Sequence, residues 1–384
     1  MILVTNAHVY APKDLGLHDI LIAGGKILRV ADKITLPAGA FPDLQVVDAA
    51  GRIVAPGFID NHVHVVGGGG ESGFNTMAPE VMLSEFVRNG VTTCMGLLGT
   101  NGITRTPRGV YAKVRALNKE GITAYMYTGS YSYPSVTITG SVADDITFID
   151  EVIGVKLALS DHRGSFVTYE ELLRLASQAR IAGMLADKAG VILAHMGEDP
   201  LGLDLVLRAV RETSLPAKTI HPTHVNRIQP LLQQAFEYAK LGGFIDLSCS
   251  DREERSVCAA IQDARSQGVP LDQITISSDA NGSTSTYDPA GNLLSIGVLT
   301  MDCMHSEFQR LVASGEFSLP QALSFFTSNV ARSFSLPAKG RIAEGLDADL
   351  LFFDTNEELT LETVIAKGEL MMTDRKILRK GTYE

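Results

Sequence analysis

Gly57-Phe58-Ile59-Asp60-Asn61-His62-Val63-His64-Val65-Val66 is an apolar run that closes on two histidines one residue apart. Such a run, opened by a glycine, reads as a buried strand. Strand alternation puts His62 and His64 on one face and Val63 and Val65 on the other. Seven similar runs follow: Val91–Leu98, Thr123–Ser130, Ile153–Leu159, Val191–His195, Thr219–Val225, Gly243–Leu247 and Gln273–Ser278. Segments of helical period separate them. One of these opens with a capping box, Ser318-x-x-Gln321, and carries the stripe Leu319, Leu323, Phe326 and Val330. Continuous apolar strands alternating with helices make a parallel sheet covered on its outer face. Eight such units over 57–337 predict an α/β fold, a (β/α)₈ TIM barrel.

The two ends of the chain read differently. Met1–Val9, Asp19–Ile22 and Lys26–Val30 at the start, and Ala348–Asp354, Thr363–Lys367 and Glu369–Met372 at the end, are short strands punctuated by glycine. They predict a small β-sandwich domain composed of residues 1–56 and 338–384, which the chain leaves and re-enters.

Composition narrows the function classes. The 384 residues are 45% hydrophobic and 20% charged, an ordinary globular balance. Thirty-three basic against 44 acidic side chains give a net charge of −11, which argues against nucleic acid as a partner. No stretch of about 18 apolar residues appears, so no membrane span is expected. Met1–Lys13 lacks the pattern of a signal peptide. Cys94, Cys249, Cys258 and Cys303 stand far apart without CxxC spacing, which suits reduced thiols and a cytoplasmic protein.

Catalytic groups in such barrels sit at the C-terminal strand ends. Those ends carry His62 and His64, Lys156, His195, His224 and Asp279 on strands one, four, five, six and eight. An HxH pair on one face suits a zinc ion. Taken alone, the pair has a second, less favoured reading as two polar barrel residues hydrogen-bonded to each other. Four histidines and a carboxylate converging on one rim are costly to bury without a metal. Lys156 lies in an apolar strand on the face of Gly154 and Ala158, where burial beside metal cations would lower the pKa of the amine, although a lysine there also reads, without that context, as one snorkelling to the barrel mouth. Arg163 and Arg227, just past strands four and six, have the planar geometry for carboxylates, although surface ion pairs use the same residues. His162 and His221 are expected to be structural. His221, three before His224, is expected to face outward.

This pattern resembles the amidohydrolase superfamily, with Pro56-Gly57-Phe58-Ile59-Asp60 before the histidines and Gly345-Leu346-Asp347-Ala348-Asp349-Leu350 near the end. Within it the chain is most similar to the isoaspartyl dipeptidases (β-aspartyl peptidases). The likeness rests on Gly67-Gly68-Gly69-Gly70-Glu71, Gly96-Leu97-Leu98-Gly99-Thr100, Ile153-Gly154-Val155-Lys156 with Ser160-Asp161-His162-Arg163, Pro222-Thr223-His224-Val225-Asn226-Arg227, and Ser277-Ser278-Asp279 with Asn281-Gly282-Ser283.

The resemblance implies a metal-dependent dipeptidase with two Zn²⁺ per chain, bridged by a carboxylated Lys156 and a hydroxide. It gives His62, His64 and Asp279 to one zinc and His195 and His224 to the other. Asp279 is also the proton shuttle, and Tyr131, among Tyr127, Tyr131 and Tyr133, the oxyanion donor. Glu71 with Ser283 takes the substrate ammonium, Thr100 and Gly69 line the aspartyl pocket, and Arg163 and Arg227 hold carboxylates. The implied partners are β-aspartyl dipeptides and further copies of the chain, in a homo-oligomer such as an octamer. Rival expectations are another amidohydrolase of dihydroorotase, hydantoinase or deacylase type, a non-catalytic relative, and a plain zinc-binding protein.

Overall fold

In the computed structural model, which describes all residues except 38, 40, 250–255, 289 and 356–357, eight parallel strands form one sheet in sequence order. They are β1 (Phe58–Val63), β2 (Val91–Gly96), β3 (Thr123–Gly129), β4 (Val152–Leu159), β5 (Val191–Met196), β6 (Ile220–Thr223), β7 (Ile245–Ser248) and β8 (Ile274–Ser277). The sheet curls until its edges meet: Val63 pairs with Ala280, and the His64 N–H donates to the Ala280 carbonyl at 2.9 Å. The Asp60 carboxylate closes the same seam, accepting the backbone N–H of His62 and of Ser278, each at 3.2 Å.

Alternation along the strands sorts the side chains. Val155, Leu157, Ile192, Ala194, Ile245, Leu247, Ile274 and Ile276 join the core under the helices. Ile59, Tyr127, Ile153, Val191 and Leu193 fill the barrel floor against Phe334 and Leu336. Asn61 and His62 both reach the lumen because the β1–β2 ladder slips between Asp60 and Val63.

Strands from both chain ends form a single continuous nine-stranded sheet. The join is Ile53–Pro56 running antiparallel to Leu350–Phe353. Period two explains that apolar run: Leu350 and Phe352 enter the sheet's own core with Ile2, Val4 and Val54, whereas Leu351 and Phe353 pack on the barrel side. Buried Lys339 ties the two sheets together, donating to Asp349 at 2.6 Å and to Thr123, the first residue of β3, at 2.7 Å. The second N-terminal strand begins at Asp14, earlier than its pattern suggests, because Leu15 and Leu17 face outward and Gly16 takes a left-handed turn.

The capping box at Ser318 forms as expected, but its helix ends at Phe326 and a second helix, Ser328–Ser333, carries Val330. Thr327 breaks the run with φ −132°, its hydroxyl donating to the Leu323 carbonyl at 2.6 Å. No helix among the described residues is long and apolar enough to cross a membrane. The four cysteines are free, Cys94 and Cys249 buried and Cys258 and Cys303 half-buried.

His221 corrects one expectation. It points into the barrel rather than outward, stacked on Phe334 with ring centroids 4.7 Å apart and with Nε2 3.2 Å from Thr275 Oγ1. Counting parity back from His224 fails because His224 has φ +64°, which breaks the strand alternation after Thr223. Burial pushes the His221 pKa down to about 3. Between an unfolded pKa of about 6.5 and that value only the unfolded chain gains this proton, so acidification removes about 1.4 kcal/mol of stability per pH unit. His221→Gln is therefore expected to lose about 2 kcal/mol less than the parent between pH 6.5 and 5, read from urea unfolding at each pH. Parallel losses in the two proteins would contradict the assignment.

Candidate metal and substrate site

At the barrel mouth the predicted ligands converge. Lys156 Nζ lies 3.1 Å from His62 Nε2. Asp279 Oδ1 is 3.3 Å from His62 Nε2 and 3.1 Å from His64 Nε2, and its Oδ2 is 3.9 Å from His224 Nε2. The ring of His224 is 4.6 Å from that of His62 and 4.7 Å from that of His195. His62, His64, Lys156, His195, His224 and Asp279 are all buried.

Which nitrogens face the centre is settled by what holds the others. His62 Nδ1 is 3.3 Å from Thr223 Oγ1, and His224 Nδ1 is 2.5 Å from Ser248 Oγ, leaving both Nε2 atoms inward. His195 is reversed: Nε2 is 2.9 Å from Asp161 Oδ2, and Nδ1 is 2.7 Å from Tyr131 Oη. Buried His224 Nε2 and Asp279 Oδ1 have no hydrogen-bond partner. Single ligand atoms of His62, His224 and Asp279 lie within 4.8 Å of one another. Orphaned buried lone pairs from imidazole and carboxylate, each ring fixed from behind, fit a divalent cation such as zinc. His224 and Asp279 hold left-handed φ values of +64° and +55°. Non-glycine residues rarely stay there unless the surroundings enforce it.

The electrostatics fit the same use. Burial first, and then the charges of Lys156, Arg227 and neighbouring imidazoles, hold His62 and His224 well below the usual histidine range. Both are neutral at pH 7, the form in which an imidazole can bind a cation. Burial lowers the Lys156 amine to about 7. Burial also raises the Tyr131 hydroxyl, which stays a donor. Asp161 behaves oppositely: burial would raise it, but hydrogen bonds from His195 and Arg163 hold it well below the carboxylate range.

Beside the cluster is a second constellation. Glu71 Oε1 accepts Ser283 Oγ at 2.7 Å and Thr100 Oγ1 at 3.4 Å, and Arg163 Nη1 stands 3.5 Å away. Its other oxygen, Oε2, is buried without a partner. The glycine run makes this possible, since a Cβ at Gly67 would lie 2.0 Å from the Ala78 carbonyl and one at Gly69 2.6 Å from that of Thr76. Gly99 gives the same room to His64, whose ring would be 2.8 Å from a Cβ there. Arg163 stacks over Tyr131, 5.5 Å from the ring centroid. Half-buried Arg227 follows β6, its N–H bonded to the His224 carbonyl at 3.0 Å. Of the three tyrosines, Tyr127 lies lower, its hydroxyl donating to the Asn61 carbonyl at 3.2 Å. His162 sits in the loop outside, packed edge-on to Tyr287.

The Amidohydrolase family profile matches residues 53–371. The chain belongs to the amidohydrolase family. A β-aspartyl dipeptidase from the thermophilic, keratin-degrading Fervidobacterium islandicum AW-1, solved with β-Asp-Leu, is 39% identical over 98% of this chain and 97% of its own, with a TM-score of 0.94. The resemblance to isoaspartyl dipeptidases therefore holds over the whole length, and this amidohydrolase is a hydrolytic enzyme. A D-hydantoinase from Thermus sp. shares the fold at 17% identity, covering 99% and 97% of the chains, with a TM-score of 0.71. The dihydroorotase of Listeria welshimeri is 24% identical over 91% of this chain and 88% of its own.

Several residues beneath the site escaped the sequence reading. Asp246 is buried on β7 and accepts Thr223 Oγ1 at 2.7 Å, Thr275 Oγ1 at 2.6 Å, Ser277 Oγ at 2.6 Å and Asn61 Nδ2 at 3.1 Å. Thr223 carries this support to His62. The signal was present: Asp246 is a lone acid inside an apolar run, as anomalous there as Lys156 is in β4.

Proposed function

We propose that this amidohydrolase is a binuclear zinc isoaspartyl dipeptidase, cleaving the β-aspartyl bond of dipeptides. The observation that carries the substrate reading is the buried, unpartnered Oε2 of Glu71 beside Ser283 and Arg163. A buried acceptor with one lone oxygen calls for a donor, and the ammonium of a β-aspartyl group supplies it. Arg163 and Arg227 then take the two carboxylates, with Thr100 and Gly69 beside the aspartyl moiety. A β-Asp-Leu complex of a 39% identical protein supports the same substrate class.

His62, His64 and Asp279 would hold one cation and His195 and His224 the other, with a carboxylated Lys156 between them. When bound, the cations polarise the scissile carbonyl and acidify a water to a pKa of roughly 7. The chain's own groups do the rest. Asp279 takes the proton of the attacking water and hands it to the leaving amine nitrogen as the amide C–N bond breaks, so one water is consumed and both halves leave intact. Tyr131 donates its hydroxyl to the carbonyl oxygen as charge builds there. The charged pocket favours this zwitterionic substrate over the cyclic amides of a dihydroorotase.

Glu71→Gln tests the pocket. Loss of one charged hydrogen bond to the ammonium is expected to lower kcat/KM for β-Asp-Leu roughly 10- to 100-fold. Zinc content is expected to stay unchanged. Unaltered kcat/KM in a zinc-replete Glu71→Gln protein would remove Glu71 from substrate binding.

A further inference from the structure

Asp161 touches two residues with different assigned tasks. Its Oδ2 is 2.9 Å from His195 Nε2 and accepts Arg163 Nη2 at 2.8 Å. Its Oδ1 accepts Arg163 Nε at 3.0 Å and the Arg163 backbone N–H at 2.8 Å. The carboxylate is only 3% exposed. Its place is also built by the backbone. Ser160 before it adopts a left-handed φ of +51°, and a Cβ on Gly197 would come within 2.5 Å of the Asp161 Cα. Only glycine lets the β5 loop pass so close.

A carboxylate accepts and does not donate, so its contact with His195 requires the proton on Nε2. That leaves the Nδ1 lone pair on the side of Tyr131, whose hydroxyl lies 2.7 Å away. The same carboxylate fixes the Arg163 guanidinium through a two-pronged pair and turns its remaining Nη1 toward Glu71 at 3.5 Å. We infer that Asp161 is a positioning residue that couples metal binding to substrate recognition, setting the tautomer of His195 and the plane of Arg163 with one group. This rests on reading His195 as a metal ligand and Arg163 as a substrate residue.

The test compares Asp161→Asn, Arg163→Lys and the double variant. Each is assayed for zinc affinity by chelator competition and for KM with β-Asp-Leu. In Asp161→Asn, one of the two zinc sites is expected to weaken about 10- to 100-fold, the usual cost of losing an outer partner of a ligating histidine. KM is expected to rise as well. Arg163→Lys raises KM but leaves zinc affinity alone, and the double variant has no higher KM than Arg163→Lys, because Asp161 acts on substrate through that arginine. Zinc affinities within twofold of the parent in Asp161→Asn, or KM effects that multiply in the double variant, would overturn the coupling.

Should Asp161→Asn fail to fold, ¹⁵N-histidine NMR of the zinc-loaded parent decides. One ligating imidazole is expected to carry its proton on Nε2; four protonated on Nδ1 would refute the role. A parent that binds zinc but leaves β-Asp-Leu intact would defeat the dipeptidase reading alone, and zinc competition would then decide for Asp161.

Discussion

Lys156→Ala is expected to abolish peptidase activity and cation binding together. The Lys156 amine is fully buried, and His62 Nε2 at 3.1 Å is its hydrogen-bond partner. Addition of CO₂ to the neutral amine, with loss of one proton, would place a carbamate anion among four imidazoles, the charge needed to balance two divalent ions. Without it the proposed cations would lose their shared ligand, and several kcal/mol of transition-state stabilisation would go with them. That corresponds to a fall in kcat/KM of at least about 10³-fold. Metal analysis is expected to show fewer than two zinc ions per chain. Acetate or propionate, able to enter the vacated space, is expected to restore part of the activity. Full activity of Lys156→Ala without added carboxylate would remove the carbamate from the account.

Asp279→Asn is the second large effect. Asn is among the few non-glycine residues that adopt left-handed backbone readily, so the +55° φ at this position is kept. The side chain keeps its shape and loses its ability to take a proton from water. General acid–base catalysis contributes roughly 10²- to 10⁴-fold, and kcat is expected to fall by that factor at saturating zinc. KM is expected to move far less, since Glu71, Arg163 and Ser283 stay in place. A fall in kcat that excess zinc reverses would mean that Asp279 serves as a ligand only.

The barrel was legible because eight apolar runs recur with helical segments between them, and because His62-Val63-His64 marks one strand's inner face. Lys156 stood out for the same reason, a charge where the neighbours are Val155 and Leu157. The seam details were not legible. His221 was placed outside the lumen because parity assumes regular strands, and the left-handed His224 ends that regularity. The capped helix was read through Thr327, whose hydroxyl competes for the backbone and stops it. The proposed substrate pocket joins Glu71 to Ser283 across 212 residues of chain. No local spacing encodes that contact; it entered through the family resemblance. Asp161 went unnoticed beside Arg163 because its importance lies in reaching His195, 34 residues away in sequence.

The most direct test is hydrolysis by zinc-loaded protein of β-Asp-Leu, with α-Asp-Leu, dihydroorotate and an N-acyl amino acid in parallel. Cleavage of β-Asp-Leu alone is the predicted result: dihydroorotate and the N-acyl amino acid bring no ammonium to Glu71, and α-Asp-Leu carries the same groups but with its ammonium one methylene closer to the scissile carbonyl, out of register with Glu71 and Arg163 when the amide is at Asp279. Turnover of dihydroorotate or the N-acyl amino acid, with β-Asp-Leu untouched, would contradict it.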